Sequence, residues 1–206
     1  MQNTVIKNVV FDVGNVIVRW APLEIVRLTF GNVEQPEELA KKVFMSDIWL
    51  DLNRGFLTEI EAKHRYQLEL DFTPQDCDRL FYYVKQSLIE LYGSVELIKK
   101  VKAAGYGVYA LTDNVVEIVD FLKEEYDFWP LFDAATVSAD LGLLKPQPEI
   151  YHSLLNSNQL IAEQCVFLDD MPHNVEGAKS VGMHAIQFLS AEQAEGELKA
   201  LGLRLW

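Results

Sequence analysis

The stretch Asn8–Trp20, NVVFDVGNVIVRW, decides how the rest of the chain is read. Val9-Val10-Phe11 is a short apolar run ending on a carboxylate, Asp12; Gly14, Asn15 and a second apolar run follow. A run of that length, rich in β-branched residues and bounded by turn signals, reads as a buried strand. A carboxylate at its end stands at the carboxyl edge of a sheet, where open α/β sheets bind ligands. Gly14 has no Cβ, so the backbone there can turn sharply or approach a ligand closely. Taken alone, the stretch favours an ordinary turn carboxylate. Asp12 becomes a nucleophile or a metal ligand only in the company of residues far downstream.

After Trp20 the pattern turns helical and stays so. Pro22–Phe30 and Pro36–Phe44 read as helices opened by proline, the second with Glu37 and Glu38 where the helix dipole favours acids. A short segment Ile48–Leu52 and the loop signal Arg54-Gly55-Phe56 come next. Thr58 and Glu61 form a capping-box pattern opening a helix to Leu70, and Thr73-Pro74 opens another expected to run to Leu91. From Ser94 onward strands and helices alternate. The strands are expected at Tyr106–Leu111, Ala134–Val137, Val166–Leu168 and His184–Phe188, with a Gly/Pro-rich loop around Lys145. Strand–helix alternation with short connections means an α/β fold, a doubly wound parallel sheet. The expected division is a core of residues 1–19 and 89–206, interrupted by a helical cap of residues 20–88.

Composition narrows the function classes. The chain has 206 residues, half of them apolar, which suits one domain with a small insertion. It carries 31 acidic and 18 basic residues, a net charge of −13, and no basic stripe. That balance argues against nucleic acid or anionic membranes as partners. A phosphorylated substrate would need a local positive group or a metal to offset the field. Cys77 and Cys165 have no metal-ligand spacing and imply no disulfide framework. No apolar run approaches the ~20 residues that span a bilayer. The expectation is a soluble cytoplasmic protein, monomer or homodimer.

Polar residues close three of the expected strands: Asp12, Thr112, and the pair Asp169-Asp170. If the strands are parallel, all of them meet on one sheet edge. The order and spacing of FDVGNV, ALTDN, LGLLKPQPEIY and VFLDDMPHNVEGA resemble the four motifs of the haloacid dehalogenase-like hydrolase superfamily. The helical block between the first two resembles its helical cap, and the likeness extends to small sugar-phosphate phosphatases, notably those acting on α-glucose 1-phosphate.

The resemblance implies a chemistry. Asp12 would attack phosphorus and form an aspartyl phosphate, splitting one hard step into two easier ones. Asp12, the carbonyl of Gly14, and Asp170 would hold Mg²⁺, a hard cation that prefers oxygen ligands, with Asp169 as direct ligand or one step removed. Lys145 and Thr112 would hold the phosphoryl oxygens, helped by Asn15, Asp113 and Asn114. Asn174 would fix a metal-bound water. The substrate would be a small phosphorylated metabolite.

One departure matters. Most phosphatases of this superfamily carry a second aspartate two residues after the nucleophile, which protonates the leaving alkoxide. Here that position is Gly14. General acid help is worth roughly 10²–10⁴-fold, so another donor, a better leaving group, or carbon–halogen chemistry must answer for its loss. The adjacent acids Asp169-Asp170 argue against the last, because a dehalogenase displacement needs no metal and two acids near Asp12 would repel without a cation. A metal-independent 2-haloacid dehalogenase is therefore the runner-up, followed by an impaired member that only binds a phospho-ligand. His173 is a candidate for the missing proton donor. Trp20, Trp49, Arg54 and Phe56 are candidates to shape the substrate pocket, Arg54 foremost.

Overall fold

A computed structural model describes residues 5–206. Five strands, β1 (Asn8–Phe11), β2 (Gly107–Thr112), β3 (Ala134–Val137), β4 (Cys165–Asp169) and β5 (His184–Gln187), form one parallel sheet ordered β3-β2-β1-β4-β5. The doubly wound parallel sheet is the one the alternation predicts. Period-2 alternation divides each strand between two faces. Val9, Phe11, Val108, Ala110, Val166 and Leu168 point into one apolar cluster, and Val10, Leu111, Cys165 and Phe167 into the other.

Five helices, α1 (Pro22–Phe30), α2 (Pro36–Phe44), α3 (Asp47–Asn53), α4 (Glu59–Leu70) and α5 (Pro74–Gln86), lie between β1 and the remaining strands. Six more are interleaved with the sheet: α6 (Ser94–Ala103), α7 (Val116–Glu125), α8 (Ser138–Leu141), α9 (Pro148–Ser157), α10 (Pro172–Ser180) and α11 (Ala191–Ala200). Side chains of α6 and α11 fill the first cluster and those of α9 the second, so both sheet faces are covered. Both expected caps form. Thr58 with Glu61, and Thr73 with Asp76, make reciprocal capping boxes at α4 and α5.

Two expectations are corrected. The helix from Pro74 stops at Gln86, not Leu91. The next residues pair instead with the segment after β1: Arg19 N–H donates to Ile89 O at 2.8 Å and Leu91 N–H to Ile17 O at 2.8 Å. These tertiary bonds outweigh the local helical preference, which is a weak bias. The stretch Ser138–Leu141, read as loop, is the short helix α8, ended by Gly142 in the left-handed region.

The sheet order sets the site. The chain leaves β1 for β2 and β3 on one side, then crosses to β4 and β5 on the other. The switch point therefore lies between β1 and β4, where a crevice opens at the carboxyl ends. In register, Phe11 stands opposite Leu168, so the next residues, Asp12 and Asp169, leave the sheet side by side.

Gly177 locks one wall of that crevice. A Cβ there would lie 2.8 Å from Pro146 Cβ and 2.9 Å from the Tyr151 hydroxyl, so α10 approaches the Lys145 loop only because this residue is glycine. Gly177→Ala is expected to lower stability by about 1–3 kcal/mol in urea unfolding. Gly196→Ala, on an open helix face with nothing nearby, should be neutral or stabilising by up to about 1 kcal/mol.

Candidate active site

Asp12 follows β1 and continues its ladder, donating its backbone N–H to Leu168 O at 2.9 Å. Its Oδ1 accepts the Val13 N–H at 2.7 Å, which fixes the carboxylate's orientation. The chain then folds back on itself, with Ile17 and Val18 donating to Val13 O and Asn15 held in the left-handed region. Asparagine tolerates that conformation better than most residues.

Lys145 lies at the centre. Its ammonium is 2.8 Å from Asp12 Oδ1 and 2.7 Å from Asp169 Oδ2, and its side chain is 2% exposed. Its backbone N–H donates to both oxygens of Asp113 at 3.1 Å, so the strand-end loop after β2 holds the lysine loop in place. Asp169 is fully buried. It also accepts from the Met171 N–H at 2.8 Å and from the Asn174 amide at 3.1 Å. Asp170 is half-buried and accepts from the Asn15 amide at 3.1 Å.

The electrostatics are unbalanced. Four acids, Asp12, Asp113, Asp169 and Asp170, gather around one ammonium. Burial, reinforced by Asp169 and opposed by Lys145, pushes Asp12 up to about 8. Burial likewise raises Asp113 and Asp170. For Lys145 burial works against the charge, but Asp12, Asp169 and Asp113 overcome it and hold the ammonium protonated. Oxygens of Asp12, Asp169 and Asp170 lie within 4.8 Å of one another. Three carboxylates that close, two of them buried, fit an oxygen-loving divalent cation. Such an ion would supply the missing positive charge and let Asp12 ionise.

A cavity of about 380 Å³ opens over this group. Asp12, Gly14, Asn15, Asp113, Asn114, Lys145 and Asp170 all line it, as do His173 and Asn174. The sequence therefore names most of the floor. Three expected residues stand apart. Thr112 ends β2, is buried, and does not line the cavity. Arg54 does not line it either; its guanidinium is 3.3 Å from Asp51, which also pairs with Arg65. Phe56 packs on Gly142 instead of the cavity. Sequence reading missed Ser138, whose buried hydroxyl accepts from the Asn114 N–H at 2.8 Å and donates to Asn53 O at 2.6 Å. No motif marks it. The cavity roof of Trp20, Phe44, Trp49 and Leu50 was only half legible, because helical apolar spacing does not separate core from wall.

The profile described as "haloacid dehalogenase-like hydrolase" matches residues 6–182. A sesquiterpene phosphatase of Aspergillus oryzae is 24% identical over 198 residues, covering 96% of this chain and 97% of its own length. A chloroplast flavin mononucleotide hydrolase of Arabidopsis thaliana is 27% identical over 202 residues, covering 95% of this chain and 77% of its own. A haloacid dehalogenase family enzyme of Bacteroides thetaiotaomicron, solved with magnesium and inorganic phosphate, superposes with a TM-score of 0.74 at 18% identity. That match covers 90% of this chain and 95% of the other.

The charge imbalance predicts a stability response. A carboxyl raised from 3.8 to about 8 favours the fold while protonated, and that stability is lost as pH rises toward 8. At pH 7 in chelator, Asp12→Asn is therefore expected to melt higher than wild type. A divalent cation at about 100 Kd should raise the wild-type Tm by roughly 5–10 °C, and Asp170→Asn should lose that shift. Differential scanning fluorimetry reads both.

Proposed function

The chain belongs to the haloacid dehalogenase-like hydrolase family, and on that premise we propose that it is a metal-dependent phosphomonoesterase with Asp12 as nucleophile. The observation that carries the reading is the buried Lys145 ammonium, bonded at once to Asp12 and Asp169. Both relatives named above hydrolyse phosphate compounds by their names, and a neighbour of the same fold was solved with magnesium and phosphate.

We assign the cation as Mg²⁺, which Asp12, Asp170 and the Gly14 carbonyl would hold. It would offset phosphoryl charge and orient the group for in-line attack. Asp169, already engaged by Lys145, Asn174 and Met171 N–H, positions the lysine. Lys145 restrains the Asp12 carboxylate with Oδ1 in its own hydrogen bond and meets the phosphoryl oxygens on arrival. Asp12 attacks phosphorus, the alkoxide departs, and water then cleaves the acyl phosphate. Helices α1–α5 act as the cap, closing over the cavity and excluding bulk water.

The proton for the leaving alkoxide cannot come from Gly14. Among the four histidines only His173 lines the cavity, and we assign it that task. A dehalogenase displacement is disfavoured because its nucleophile needs no cation, and the carboxylate cluster would then stay uncompensated.

Phosphate release from a panel of alkyl and aryl monophosphates, with Mg²⁺ and with chelator, tests the proposal. Release should require Mg²⁺, and Asp12→Asn should lower kcat at least ~10³-fold; undiminished turnover by that variant would remove Asp12 from the chemistry. His173→Asn should slow alkyl phosphates roughly 10²-fold yet hardly affect p-nitrophenyl phosphate, whose leaving group needs no proton.

A further inference from the structure

The cavity has two different halves. Its floor is charged: Asp12, Lys145 and Asp170. Its roof and sides are apolar: Val18, Trp20, Phe44, Trp49, Leu50 and Leu88. Trp20 and Trp49 stack at 5.5 Å and 16°, and Phe44 meets each edge-on at 5.1 and 4.9 Å. These three rings make one aromatic wall of the cavity that Asp12 and Lys145 also line. Their mutual packing fixes their orientation, so the wall cannot turn away to admit polar groups.

Several polar side chains at that level already hold hydrogen bonds within the protein, while Asn174 Oδ1, beside the Asp169 floor, is buried without a partner. Asn53 donates its amide to Trp49 O at 2.8 Å. Asn15 accepts from the Trp20 N–H at 2.8 Å while donating to Asp170. Asn114 accepts from the Val115 N–H at 2.9 Å, and Asp113 from the Lys145 N–H. Arg54 is paired with Asp51 outside the cavity. A hexose or pentitol brings several hydroxyls, and each one buried here without a partner loses its water bonds for nothing. A hydrocarbon loses nothing and gains the aromatic wall.

We propose that the substrate of this site is the monophosphate of an apolar alcohol, a hydrocarbon leaving group seated against Trp20, Phe44, Trp49 and Leu50, and not a sugar phosphate. The proposal rests on the phosphomonoesterase reading above. It deepens that reading by assigning the leaving group, and it replaces the sugar expected from sequence resemblance. The reaction is unchanged: the phosphorus–oxygen bond to the alcohol breaks, Asp12 takes the phosphoryl group, the alkoxide takes one proton, and water completes the hydrolysis to alcohol and inorganic phosphate.

The experiment compares geranyl monophosphate and benzyl monophosphate with glucose 6-phosphate. All three leave as primary alkoxides, so differences report on the pocket and not on leaving-group acidity. Wild type is expected to favour both apolar esters by roughly 10–200-fold in kcat/KM. Leu50→Gln, at a half-buried position where volume is kept, should cut that preference at least about tenfold. Trp49→Leu should do the same, and Leu50→Gln guards against a Trp49 variant that fails to fold. Equal or better turnover of glucose 6-phosphate overturns the apolar assignment and leaves the phosphomonoesterase standing. A preference that survives both substitutions also overturns it. Mg²⁺-dependent release from none of the three, with p-nitrophenyl phosphate also inert, overturns both.

Discussion

Lys145 is the contact on which the site depends. One ammonium, shielded from water, lies within 2.8 Å of two carboxylates that come from different strands. A buried ion group of this kind is weak evidence for stability, since desolvation costs about as much as attraction returns. Its value here is geometric. It binds the ends of β1 and β4 to the loop before α9, and it does so while leaving the acids in excess. The excess is what makes the site a cation trap rather than a closed salt bridge. The floor is thus built for charge neutralisation in the presence of an ion and is frustrated without one.

The roof answers a different requirement. Asn15 links the two halves, since its amide bonds Asp170 on the floor while its carbonyl receives the Trp20 backbone at the wall. Ser138 does the same from the other side, holding the Asn114 loop against α3 through Asn53. Gly55, in the left-handed region against the Ala139 backbone, allows the loop after α3 to come this close to α8, where a Cβ would collide. Movement of the α1–α5 helices therefore strains bonds that end on floor residues.

Much of this was legible in the sequence, for physical reasons. Asp12, Asp169 and Asp170 could be placed because strand ends in a parallel sheet share an edge, and the alternation after Ser94 was strong enough to make the sheet parallel. Lys145, by itself an ordinary solvated loop lysine, could be singled out only in company with those acids and by the resemblance of LGLLKPQPEIY to a family motif. Three things were not legible. The end of α5 at Gln86 depends on pairing with residues 17–19, a contact no local pattern encodes. Arg54 looked like a substrate ligand because a cap-loop arginine can reach inward, yet Asp51, one turn back on α3, takes it. Side-chain direction is decided by such neighbours, and spacing alone does not hold that information. Trp20 and Trp49 were visible as aromatics but not as a wall, because packing against Phe44 is what turns them to the cavity.

The most direct test of the account is to trap the acyl phosphate. Wild-type protein with Mg²⁺ and a turned-over monophosphate is quenched in acid within a single turnover, digested, and analysed by mass spectrometry. The account predicts a phosphoryl group on the peptide that contains Asp12, absent in chelator and absent from Asp12→Asn. A phosphoryl group on any other residue, or full turnover with no trapped species under conditions where chemistry outpaces its breakdown, would contradict Asp12 as the nucleophile that Lys145 is built to hold.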